Sequence, residues 1–355
     1  MSVRDIGLHF GGDELGSALD RFLDGVRPAP ALLGLGEPTH GREEFPRSRN
    51  RVFEHLVRHH GYRSIAIESD HLAGTAVDDY VTGGTGDLND VLVTGFSHGF
   101  GASPANRELL VWMREYNERA DERLRFYGFD APLEITGAPS PREALLTAHA
   151  YLAERLPRVP HDAASLDALL GDDGPWTDQG VMWDAAKSIG DTAEARALRL
   201  VADDIVALFE TEAPALRRSA SDTAFFRARA HAIAARGLLR YHAAMASAAP
   251  ERASTLMGLR DAMMAENLRA IAAAEARRGP CLVFAQNAHL QRTRSSAAWE
   301  GSGGELRWWS AGALTATSDL GDRYAFVATD FGDADPDERR RAFGADAVAL
   351  VDAPR

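Results

Sequence analysis

Apolar and polar positions alternate along this chain in two rhythms. Leu15, Leu19, Phe22 and Val26 recur at three- and four-residue intervals and predict a helix over Asp13–Val26, with Asp13 placed to cap it and Gly25 near its end. The unbroken apolar run Ala31–Leu35 predicts a short buried strand. A second helix is expected from about Pro46, a residue suited to a first helical turn, with Val52, Phe53, Leu56 and Val57 as its stripe and Gly61 as its stop. Ser64–Ile67 reads as the next strand and ends at Glu68. After a Gly- and Asp-rich loop over Thr82–Asn89, Leu109, Trp112, Met113 and Tyr116 mark one side of a helix over Arg107–Ala120. The strand Leu124–Phe129 follows and stops at Asp130. Strand and helix alternating in this way predict parallel βαβ units.

The rhythm changes after Asp130. Ser140-Pro-Arg-Glu143 has the form of a capping box, and the chain beyond it is rich in Ala, Leu and Arg, with no strand pattern until about residue 280. One stripe runs through Val201, Ile205, Leu208, Phe209 and Leu216, and another through Phe226, Ala230, Ile233, Gly237 and Tyr241; Gly171–Pro175 reads as a loop between helices. The strand pattern returns at Cys281–Ala285, Tyr324–Thr329 and Ala347–Val351. The charged stretch from Asp333 through Asp335 and Asp337 to Arg341 reads as solvated surface. The expected fold is α/β: a mostly parallel central sheet flanked by helices, with a large all-helical insertion. Residues 1–140 and 251–355 would form the α/β core, and 141–250 the insertion over the cleft.

Bulk properties narrow the function. The 355 residues are 45% hydrophobic, enough for a sizeable core, and carry a formal charge of -13. That charge argues against nucleic acid and anionic membrane surfaces as partners and leaves a small molecule. A single cysteine, Cys281, excludes an internal disulfide and sits in an apolar run, where a buried thiol is expected. The opening Met-Ser-Val-Arg-Asp lacks the apolar segment of a signal peptide, and no apolar run is long enough to span a bilayer, so a cytoplasmic location is expected. Oligomeric state is not legible.

Chemistry gathers at the strand ends. Glu37 and His40 follow the first strand, Glu68 the second, Asp130 the third, and Asn287 and His289 the strand after the insertion. In a parallel sheet these ends share one edge, so residues distant in sequence meet around one crevice. His40 is the candidate general base, with Glu37 or Glu68 to fix its tautomer and favour the imidazolium formed in turnover; a bond to loop backbone is the plainer alternative. Arg49 lies on the sheet-facing stripe of its helix, and Arg260 shares a face with Met264, Asn267 and Ile271. An arginine on an apolar face needs an anionic partner or a ligand. His98, in the Gly-rich loop Gly95–Gly101, either covers the pocket or is a plain loop residue. His59 and His60 read as a helix-end feature, His231 and His242 as packing or surface residues, and Trp176 and Trp183 as core or cleft lining. No nucleophile elbow, Walker loop, dinucleotide fingerprint or zinc-binding His-Glu-x-x-His occurs.

The segment Gly36-Glu-Pro-Thr-His-Gly-Arg-Glu-Glu-Phe45 resembles the signature of the erythromycin esterase family. Ile65–Glu68, Leu110–Asn117, Gly128–Asp130, Arg260–Asn267 and Phe284–His289 resemble its further motifs, in order. The resemblance implies an α/β core with a helical insertion, and hydrolysis of a macrolide lactone or other ester without a covalent intermediate. It implies His40 as the base that activates water, with Glu37, Glu68, Arg49 and Arg260 orienting base or substrate. His289 and the polar groups Gln286, Asn287, Asp130 and His98 complete the expected pocket. No cofactor is expected, although Glu37, His40, Glu68 and His289 are donors a metal could use. One departure stands out: Gln286 replaces a family histidine, and glutamine does not shuttle protons near neutral pH. Three readings follow: an ester or lactone hydrolase, a non-hydrolytic tailoring enzyme of secondary metabolism using the same base, and a binding protein on an esterase-like scaffold.

Overall fold

Long runs of buried strand residues determine the architecture. The computed structural model describes residues 7–9, 15–134, 137–299 and 304–351. Among them, seven strands make one sheet in the order β1-β9-β8-β2-β5-β3-β4, with every neighbouring pair parallel. These strands are β1 (Gly7–His9), β2 (Leu32–Glu37), β3 (Ser64–Asp70), β4 (Arg125–Asp130), β5 (Cys281–Gln286), β8 (Tyr324–Phe331) and β9 (Ala347–Val351). A separate two-stranded sheet, absent from the sequence reading, joins β6 (Arg294–Trp299) and β7 (Gly304–Trp309). β2, β5 and β9 are buried nearly throughout, as expected of strands covered on both faces. Cys281 is fully buried at the start of β5, and desolvation holds its thiol far above the usual range, so it is core.

The chain divides into two compact units, one of residues 1–130, 264–297 and 307–355 and one of 131–263 and 298–306. In the first, helix α1 (Leu15–Gly25) buries Leu15, Leu19 and Phe22, and helix α2 (Glu44–His59) buries Phe45, Val52, Phe53, Leu56 and Val57. The cap expected at Asp13 lies outside the described residues. α2 contains Pro46 in its first turn and is followed by Gly61 at φ +70°, a conformation that favours glycine. In the second unit, helices Arg142–Ala153, Ala193–Thr211 and Asp222–Met245 pack on one another. Trp176 is buried there and donates its indole N–H to Leu170 O, whereas Trp183 is largely exposed. No described helix is long and apolar enough to cross a membrane.

Two local expectations are corrected and two refined. β2 runs two residues further than Leu35, because Gly36 and Glu37 pair with Ala285 and Gln286. The Thr82–Asn89 segment is loop only in part: Asp87 accepts from Asn89 and Asp90 backbone N–H groups and starts the helix Leu88–Thr94. The cap expected at Ser140–Glu143 forms in part: across Pro141, Ser140 Oγ accepts the Arg142 backbone N–H at 3.3 Å. The charged stretch near residue 337 is surface, as expected, with no residue buried, and it is folded as a helix, Pro336–Phe343, capped by Asp335 and closed by Gly344 at φ +59°.

Gly36 shows how tightly the centre of the sheet is drawn. A Cβ there would lie 2.0 Å from Asn287 Oδ1 and 3.1 Å from a Phe326 ring carbon. Asn287 donates to Thr329 O at 2.8 Å, and Thr329 donates to Gly36 O at 2.5 Å, tying β2, β5 and β8 together. Gly36→Ala should displace the Asn287 side chain, break this tie and lower stability by about 2 kcal/mol. Urea unfolding of the two proteins checks this; an unchanged midpoint would contradict it.

Candidate active site

The ladder ends irregularly where β2, β5 and β3 lie side by side. Regular β3–β5 pairing runs to Ile67 opposite Phe284, and the β3–β4 register shifts between Ile67 and Asp70. Such a bulge re-aims side chains at a strand end. Glu68 sits in it. Its Oε2 accepts the backbone N–H of Gln286 at 2.8 Å, while Oε1 lies 3.4 Å from His289 Nε2 and 3.7 Å from His40 Nε2. Glu37, the last residue of β2, accepts from His40 Nδ1–H at 2.8 Å.

These groups border a cavity of about 460 Å³ in the first unit, within the size range of small-molecule sites. Glu37, His40, Arg49, Glu68 and His98 line it, among the residues expected from the sequence. His40 is 37% exposed at its side chain, whereas Glu37 and Glu68 are buried beneath it. Arg49 is fully buried, with its guanidinium 4.9 Å from the Phe284 ring centre and donating to Asn50 Oδ1 at 2.7 and 3.1 Å. His98 donates to Asp130 Oδ2 at 2.9 Å. It does so from a left-handed backbone, φ +56°, which costs a non-glycine residue about 1–2 kcal/mol. The loop carrying it is pinned to β3, because Asp70 N donates to Ser97 Oγ and Ser97 N to Ser69 Oγ, both at 2.9 Å.

Other expected residues stand behind this wall. His289 is buried and reaches the site through Glu68; Asp130 is buried beneath His98. Asn287 is buried and spends its amide on β8, and Gln286 contributes its backbone N–H to Glu68. Arg260 lies on helix Arg252–Glu275 in the second unit. Further along that helix, in the first unit, Asn267 donates to Phe129 O at 3.0 Å.

Several lining groups escaped the sequence reading, notably Arg42, Glu43, Phe100, Ser103 and Asn106. Phe100 packs between the two cavity histidines, 5.1 Å from His40 and 5.7 Å from His98 by ring centres. Arg42 follows His40 by two residues, and its Nε and Nη2 are buried without a hydrogen-bond acceptor. It lies within the segment Gly36–Phe45, and only its setting marks it. A wider groove of about 570 Å³ lies between the outer faces of α2 and helix Pro104–Asn117. Its walls are surface arms such as Arg47 and Glu108, 3.6 Å apart, and they include no imidazole.

Electrostatics suit proton transfer. Burial disfavours charge on His40, but the bond to Glu37 and the charge of Glu68 outweigh it and raise the imidazole pKa above its usual value. Burial also raises the Glu37 carboxyl, partly opposed by His40, so the cluster as a whole retains a proton to higher pH. Desolvation lowers Arg49 to about 10, with the Glu37 and Glu43 charges resisting; it stays cationic at neutrality.

The first unit is therefore an all-parallel α/β fold with histidine–carboxylate pairs on the carboxyl edge of its sheet. Within that class the chain belongs to the erythromycin esterase family, whose model matches residues 57–348. Glu37, His40 and Arg49 precede the matched stretch. Erythromycin esterase type II of Escherichia coli is 27% identical over 120 residues, 32% of this chain and 28% of its own length. Type I from the same organism is 24% identical over 145 residues, 40% of this chain and 31% of its own. The matched stretches thus span less than a third of these relatives. Three solved structures share the fold. A Bacillus cereus protein superposes with a TM-score of 0.61 at 20% identity, covering 84% of this chain and 65% of that one. An erythromycin esterase mutant in its open conformation gives 0.60 at 20%, covering 88% and 73%. A succinoglycan biosynthesis protein gives 0.63 at 16%, covering 92% and 73%.

Asp70, at the end of β3, tests the electrostatics of this edge. Burial raises its carboxyl to about 6 from 3.8, although Leu72 and Ala73 N–H groups donate to it. A raised native pKa means that stability present at low pH is lost as pH climbs from about 4 through 6. Asp70→Asn, which keeps an acceptor oxygen, removes that loss. The melting temperature of the variant relative to the parent should rise between pH 4 and pH 7, by the equivalent of on the order of 2 kcal/mol. A difference that does not vary with pH would contradict it.

Proposed function

We propose that the protein hydrolyses an ester or lactone of a natural product, macrolide-like or otherwise, with His40 as general base. One observation carries the reading: His40 gives Nδ1–H to Glu37 and leaves Nε2 facing a cavity 3.7 Å from Glu68 Oε1. Two acceptors at that separation can share one water at about 2.8 Å from each. Glu68, held at both oxygens, aims that water; Glu37 holds the tautomer and stabilises the imidazolium.

In this mechanism the water oxygen attacks the ester carbonyl as Nε2 takes a proton. The carbonyl oxygen becomes an oxyanion, stabilised by the positive charge of Arg42 and Arg49, both of which line the cavity. Collapse of the intermediate expels the alkoxide, which recovers the proton from the His40 imidazolium. His289 acts as a positioning residue through Glu68.

His40→Ala should lower kcat/KM for ester hydrolysis by at least about 100-fold, with Arg42→Ala costing a similar factor mostly in kcat. Undiminished turnover in His40→Ala would remove the mechanism. The pH profile checks the tuning. Activity should rise with pH as His40 loses its proton, with an apparent pKa above the ordinary imidazole value. Glu37→Gln removes the charge that raises it, so the limb should move to lower pH while the maximal rate falls.

Gln286 in place of a family histidine supports a second reading, in which the same base drives an elimination, cyclisation or isomerisation. Turnover in H₂¹⁸O separates the two: hydrolysis places the label in the acid product, and the alternative leaves every product unlabelled.

A further inference from the structure

At the end of α2 remote from the cavity, two histidines and an aspartate converge in a way that the proposed reaction does not use. His55 Nε2 and His60 Nε2 each lie 2.7 Å from the same atom, Asp20 Oδ1. The three donor atoms all lie within 4.8 Å of one another. We infer that Asp20, His55 and His60 form a binding site for a divalent transition-metal ion of the zinc class, bridging α1 and α2.

The donor set fits. Two imidazole nitrogens and a carboxylate oxygen are the ligands such ions take, with a fourth position left to water. Donors about 2.0–2.1 Å from a tetrahedral ion stand roughly 3.3 Å apart, so entry of the ion requires the present contacts to open by about half an ångström. Asp20 is half-exposed and free to make that adjustment; His55 and His60 are about one-fifth exposed, which leaves a path from solvent.

The fold holds the two rings in place. His60 N–H donates to Leu56 O at 2.9 Å and closes α2, which sets where its ring projects. His55 lies against α1 at Gly16, one turn before Asp20, where a Cβ would come within 2.7 Å of the ring. The His59 ring lies beside it, with centres 4.6 Å apart. Two ring nitrogens converge on one carboxylate oxygen here; an ion placed among them takes all three groups as ligands. The site is separated from the candidate active site by most of α2, about 20 Å at 1.5 Å per residue.

Titration of metal-free, full-length protein with zinc chloride tests this. The expected result is one zinc per chain at this site. Affinity should fall at least about tenfold in His55→Gln and in His60→Gln, and the site should be lost in the double variant. His40→Ala should keep it, which separates this site from the donors around Glu68. Zinc should also raise the melting temperature of the parent chain and not that of the double variant. The imidazole ¹⁵N signals of His55 and His60 in the parent should move on zinc addition, a readout that does not depend on the variants folding. Failure of the parent chain to bind zinc, retention of the site in the folded double variant, or movement of only the His40 and His289 signals would overturn the inference.

Discussion

A single hydrogen bond joins the end of the sheet to the start of the chemistry. Where β3 leaves its regular pairing, the carboxylate of Glu68 takes the backbone N–H of Gln286. A buried backbone donor left unpaired is costly, so the side chain is bound to that position by the needs of the ladder itself. The same constraint turns the second oxygen toward His40 and His289. Breakdown of the ladder and orientation of the acid are one event. Here it occurs at the carboxyl edge, where β5 lies between β2 and β3.

The site is layered as a consequence. His40 and Arg42, which arrive on the turn after β2, border the cavity; Glu37 and Glu68 support the base; His289 and Asp130 stand behind. Each layer fixes the one in front by a charged or hydrogen-bonded contact, the arrangement that keeps a catalytic group in one rotamer and one tautomer. The strained backbone at His98 belongs to the same pattern, since its bond to fully buried Asp130 offsets a left-handed conformation. Desolvation raises the Glu37 and Asp70 carboxyls along this edge, whereas at His40 it acts the other way and is outweighed by the bond to Glu37 and the charge of Glu68.

The match to the erythromycin esterase family begins at residue 57, so it does not extend to the turn that carries His40. The motif order read from the sequence and the geometry of β2 bring that turn to the same edge. The chemistry proposed for the chain therefore rests on contacts made inside its first unit.

By itself the sequence determined the long strands of the central sheet and the helices between them, though not β1, β6, β7 or the helices Leu88–Thr94 and Pro336–Phe343, and it showed that several strands end in groups able to move protons. Hydrophobic periodicity is a local property, set by burial of each element's own face, and Leu32–Leu35, Ser64–Ile67 and Cys281–Ala285 display it without help from their partners. The tertiary structure alone decided which ends meet. Glu68 and Gln286 are 218 residues apart, and nothing near either residue encodes the register that joins them. The bulge at Glu68, the extension of β2 through Glu37, and the unspent N–H groups of Arg42 arise from pairing and packing between distant segments. So does the gathering of Asp20 with His55 and His60 across two helices. Spacing along one chain carries no information about such contacts, because they depend on how whole elements settle against one another.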